Sequence, residues 1–200
     1  MKKLLILLTA VLLLLSVSVS AETMADETVL FTSEKSNYSM MIPADYIPVN
    51  DTFTDMIKTR IVEGKLPGVS DEQIAGIQET VENADLSNLD FILSSNLIGN
   101  VNIQVQNFPV PGSMLPLVKE ELDEINIETY TAAGIGVKCI TTHDMEEIGN
   151  YNWYHLSCTI LGRDIEQYIA VDEAGMGYIL TFTQIDEADM ELILSTFQYE

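Results

Sequence analysis

Apolar and polar residues alternate in short runs over much of the chain, and helical spacing takes over in four places. Val29–Thr32 and Tyr38–Ile42 are β-prone runs separated by the polar stretch Ser33–Asn37, which predicts a hairpin that Pro43 ends. From Asp51 to Glu63 the period changes. Phe53, Met56, Ile57, Arg60 and Ile61 recur at helical spacing, with Gly64 as a stop. A second helix opens with Ser70 and Gln73 in capping-box positions and carries the stripe Ile74, Ile77, Val81 and Ala84. Val101, Ile103 and Val105 then alternate with Asn102, Gln104 and Gln106, the pattern of a strand covered on one face and wetter on the other. Ser113 is placed to cap a helix reaching about Ile127, with Pro116 in its tolerated first turn. Its expected buried side is Leu117 or Val118, Leu122 and Ile125. Four strands follow: Ile135–Thr142, Tyr151–Leu161, Ile165–Val171 and Gly177–Thr183, with connections short enough to demand antiparallel neighbours. Asp186 opens a last helix carrying Met190, Ile193 and Leu194, and Phe197 packs just beyond it.

Helices grouped against an antiparallel sheet define an α+β sandwich. Strict βαβ alternation and a glycine-rich phosphate loop are both missing, which argues against a parallel nucleotide-binding sheet. The beginning of the chain carries an address. Lys2 and Lys3 precede the apolar run Leu4–Val19, and Val19-Ser20-Ala21 supplies small residues at the usual cleavage positions. Residues 1–21 are therefore expected to be a secretory signal peptide, and 22–200 a single domain in an extracytoplasmic setting. No second long apolar run follows, so no membrane contact is expected after cleavage.

Composition narrows the partners. The 31 acidic residues face nine Lys plus Arg, two of which lie in the leader. Such a charge repels phosphate backbones and anionic headgroups, which argues against nucleic acid and peripheral membrane binding. A hydrophobic content of 47% still supports a folded core.

The segment Ser36-Asn37-Tyr38-Ser39-Met40-Met41-Ile42-Pro43-Ala44-Asp45-Tyr46 resembles the opening strand of secreted PsbP-like domains, an alternating aromatic strand followed by Ile-Pro and an aromatic. Gly177–Thr183 followed by Ile193-Leu194-Ser195-Thr196-Phe197 resembles their closing strand, helix and terminal element. The resemblance implies an α/β/α sandwich shared with an extrinsic photosystem subunit and a Ran-binding import factor. Both are binding proteins, so it implies a non-enzymatic role and no catalytic residues to carry over.

Candidate chemistry is sparse. Cys139 and Cys158 are the two cysteines, and simple alternation points both to the apolar face. A hairpin with Glu146 opposite Tyr151 would set them against each other, at about 4.5–5.5 Å between Cβ atoms. They are then either a cross-strand disulfide or two buried free thiols, and a register legible only to within one residue favours the thiols. The same register separates His143 from His155, so that a two-histidine metal site would need a bulge. No metal site and no cofactor are expected. Ser157 beside His155 lacks an oriented third group and an elbow turn, which disfavours a nucleophile. Glu120, Glu121, Asp123 and Glu124, and Asp186, Glu187, Asp189 and Glu191, read as solvated helix faces without a calcium-loop pattern. Tyr151 to His155 is the one aromatic concentration, and alternation leaves Trp153 and His155 on the face opposite Tyr154, Leu156 and Cys158. Trp153 and His155 are accordingly the expected docking residues for a protein or small-molecule partner. The function expected is a secreted, non-catalytic binding module. A divalent-cation-dependent acidic envelope protein and a small extracytoplasmic hydrolase are the alternatives.

Overall fold

The computed structural model describes residues 27–49, 88–95, 99–132, 137–160 and 162–199. The expected leader and the expected helices over 51–63 and 70–84 lie outside the described residues.

Short β-prone runs joined by tight turns give antiparallel neighbours throughout. β1 (Thr28–Thr32) and β2 (Tyr38–Pro43) form the expected hairpin, in which Ser33 Oγ accepts the N–H groups of Lys35 and Ser36. β11 (Gln198–Tyr199) pairs with the free side of β2 and completes a three-stranded sheet. A second sheet has eight strands: β3 (Ile47–Val49), β4 (Leu89–Leu93), β5 (Asn100–Asn107), β6 (Val137–Thr142), β7 (Glu146–Ile148), β8 (Tyr151–Ile160), β9 (Arg163–Val171) and β10 (Met176–Thr183). Its order is β3-β4-β5-β10-β9-β8-β6, with β7 also paired to β8. β3, β4 and β7 are too short for their alternation to stand out in the sequence. Pro48 fits in β3 because β3 is an edge strand.

The large sheet is covered on both faces. On its front lie the small sheet and α2 (Glu187–Thr196), and the core there joins Tyr38, Met40, Ile193 and Phe197 to Trp153 and Phe182. Over its back runs α1 (Lys119–Ala132), entered through a 3-10 segment, Gly112–Val118. The molecule is thus the α+β, helix–sheet–helix sandwich that the order of elements predicts.

Two expectations about faces are corrected. β5 has no wet side, because Asn102 is 0% exposed and Asn100 and Gln104 are also buried. Asn102 Nδ2 donates to Asn100 Oδ1 at 3.1 Å, so the amides begin to satisfy one another. The segment from Ser113 starts as a 3-10 helix, and Ser113 bonds Glu173 through its N–H and hydroxyl instead of capping. Three residues per turn bring Leu115 inward, at 1% exposed, and turn Leu117 out at 79%. Ile125 is likewise exposed, while Asn126 and Tyr130 are buried.

Candidate functional site

β8 distributes its side chains as alternation predicts. Tyr154, Leu156 and Cys158 pair with Ile169, Gln167 and Ile165 toward the back, while Trp153, His155 and Ser157 face the front. The front at Trp153 is not a surface. The indole is 0% exposed, edge-on to Phe197 and Tyr168, and its Nε1 donates to the carbonyl of Ile148 at 3.1 Å. The expected docking role of Trp153 is therefore corrected: α2 and the small sheet cover it, and it is a core residue.

His155 lies nearer the open edge of that face, where β6 and β7 run in succession along β8. The pairing shifts along this edge. Val137 opposes Ile160 and Lys138 opposes Thr159, but Thr141 opposes Ser157 and Thr142 opposes Leu156. One residue is gained between Lys138 and Thr141, where Cys139 takes a positive φ of 52°. This is a β-bulge, and every side chain beyond it changes face. A further shift puts Glu146 opposite Trp153 in β7, not opposite Tyr151 as expected. Cys139 is accordingly exposed, Cys158 is buried, and both are free thiols. The expectation that both cysteines share the apolar face fails at the bulge.

The same bulge brings the histidines together, against the expectation that the register parts them. The His143 N–H donates to the His155 carbonyl at 3.0 Å, and the two rings stack with centroids 4.1 Å apart. On its other side the His155 ring stacks on Tyr168, again at 4.1 Å. His155 Nδ1 meets Glu146 Oε1 at 2.5 Å and Nε2 meets Glu166 Oε2 at 2.6 Å. An imidazole with a carboxylate at each nitrogen is best satisfied when both nitrogens carry protons. Burial alone would lower the pKa of His155, but the hydrogen bonds and charges of Glu166 and Glu146 together raise it. Ring atoms of His143 and His155 and a carboxylate oxygen of Glu166 lie within 4.8 Å of one another, a set able to hold a metal ion. The sequence carried a signal for this cluster in its two histidines; the bulge that assembles it was not legible.

Ser157 Oγ is 2.9 Å from His143 Nε2, so the serine pairs with His143 rather than His155. Glu146 and Glu166 both bond His155, so neither of these carboxylates orients His143 toward the serine. That arrangement differs from a nucleophile–base–acid relay.

A second feature lies on the back face. A cleft of about 190 Å³ opens between α1 and the sheet, walled by Phe108, Val118, Leu122, Ile169 and Ile179. Gln106, Asn126 and Gln167 bring amides to it. Asn126 Nδ2 donates to the Tyr154 hydroxyl at 3.2 Å, and Gln167 Nε2 donates to Thr181 Oγ1 at 3.0 Å. The carbonyl oxygen of Gln167 is buried and has no partner. Of the residues named here, the sequence pattern gives only Val118 and Leu122 as a packing face, since the cleft is assembled by α1, the segment leading into it and strands β5, β9 and β10.

No protein-family model matches the chain, and no curated protein matches it in sequence. Among solved structures it is similar to a Bacteroides thetaiotaomicron protein, with 10% identity, a TM-score of 0.48 and 86% of this chain covered. The match spans 48% of that protein, so this chain corresponds to about half its length. It is also similar to cyanobacterial PsbP from Synechocystis sp. PCC 6803, with 10% identity, a TM-score of 0.47, and coverage of 90% of this chain and 98% of the other.

Proposed function

We propose that the protein is an extracytoplasmic, non-catalytic binding module that holds a small, largely apolar molecule in the cleft between α1 and the back of the sheet. The observation that carries this reading is the cleft itself: apolar walls with a few amides at fixed positions, as small-molecule sites are built. The amides of Gln106 and Asn126 at the cleft wall add chemistry, since a side-chain carbonyl oxygen can accept from a ligand carrying a hydroxyl or amine donor. Export is part of the proposal, supported by the Lys2–Ala21 pattern.

2-Naphthol, an apolar body with one donor, is a suitable probe, with naphthalene as the comparison lacking the donor. 2-Naphthol is expected to bind more tightly, and Leu122→Trp, which fills the cleft from the half-buried side of α1, is expected to weaken it about tenfold or more. Binding measured by calorimetry that ignores Leu122→Trp, or shows no preference for the donor, would overturn the reading.

A further inference from the structure

We propose that His143, His155 and Glu166 form a binding site for a borderline divalent transition-metal ion, of which zinc is the reference case. The donor set is two imidazole nitrogens and one carboxylate oxygen already gathered within 4.8 Å. Three protein ligands of this kind, with a fourth position left to water, is a common zinc arrangement, whereas calcium and magnesium prefer oxygen donors throughout.

Four further features fit. His155 Nε2 and Glu166 Oε2 stand 2.6 Å apart, sharing a proton at the position a cation would occupy. On binding, that proton passes to solvent and the nitrogen and oxygen lone pairs both turn to the metal. Glu146 accepts from the remaining nitrogen, Nδ1, at 2.5 Å. A carboxylate behind a ligating histidine fixes its ring and raises its basicity, the usual support for such a ligand. His143 lies between β6 and β7, outside regular structure and half-buried, so its ring has room to turn from the stacked arrangement and exchange Ser157 for the metal. Parallel rings do not aim their lone pairs at one point, so this turn is required. The site also opens at the surface, since the side chains of Glu146 and Glu166 are 39% and 31% exposed.

The test is a calorimetric titration of the purified protein with Zn²⁺, paired with Co²⁺ absorption as a report on coordination. One equivalent should bind, and His143→Ala and Glu166→Gln should each weaken it about tenfold or more. Co²⁺ should give the visible bands of a low-coordinate nitrogen–oxygen site, lost in His143→Ala. The paired change Glu120→Gln and Glu124→Gln, on the exposed side of α1, should leave affinity unchanged. Thermal unfolding of both ligand variants without metal separates lost ligation from lost fold, and Glu166→Gln keeps side-chain volume should His143→Ala prove unstable. Zinc uptake that survives both ligand variants, or calcium competing on equal terms, would overturn the proposal and make the uptake a property of the acidic surface.

Discussion

Cys139 and Cys158 lie on the neighbouring strands β6 and β8 but in opposite surroundings. Burial on the back face, with Glu166 nearby, pushes the Cys158 thiol up to about 12, while Cys139 stands exposed at the bulge. Thiolate is the reactive form, so a thiol reagent should modify one equivalent of native protein, at Cys139, and a second only on unfolding. Mass-mapped labelling before and after denaturation checks this, and two equivalents in the native state would contradict it. The shift also bears on stability. A thiol that titrates near 9 in the unfolded chain and near 12 in the folded one leaves stability whole below 9 and draws it down as pH climbs toward 12. Urea midpoints at about pH 8 and about pH 11 should therefore converge in Cys158→Ala relative to the parent. Buried tyrosines such as Tyr154, whose hydroxyl is pushed upward by burial, supply the rest of the alkaline loss.

The β7–β8 turn shows how tightly the elements fit. Gly149 has φ +62°, and a Cβ there would stand 2.8 Å from the Ser195 carbonyl oxygen at the end of α2. Gly149→Ala combines left-handed strain with a backbone collision, and a loss of about 2 kcal/mol or more in unfolding free energy is expected. A change of less than about 0.5 kcal/mol by chemical denaturation would show that the turn yields freely. The longer elements were legible because their periodicity ran over enough residues: β8, β9, β10 and α2 lie within two residues of their sequence-based bounds. Shorter irregularities were not. One extra residue at Cys139 reversed the face of His143, and no residue type there announces a bulge. The Asn102 and Gln104 side chains look like a wet face, yet a second layer covers them, and that layer is a tertiary fact. Trp153 was misjudged for the same reason: alternation found its face correctly but could not say what lay on it.

At the scale of the molecule, the expected leader and the charge are linked: residues 1–21 hold two of the nine basic residues, so their removal would leave seven against 31 acidic ones. The exported chain is expected to begin at Glu22, and mass spectrometry of the secreted protein checks it; a mass that retains Leu4–Val19 would refute cleavage. Among the described residues no helix is long and apolar enough to cross a membrane. The front core has a consequence in time. Phe197 stacks on Tyr38, and Thr196 Oγ1 accepts the Met41 N–H, a bond between residues 155 apart in sequence. Contacts so distant form late and slowly, because the loop between them must close before they give anything back. Until the α2 region meets β2, Trp153 and Phe182 lack their cover and the chain stays pliable. For the export proposed above, such a delay would favour passage of the unfolded chain, and the docking of Phe197 would end it.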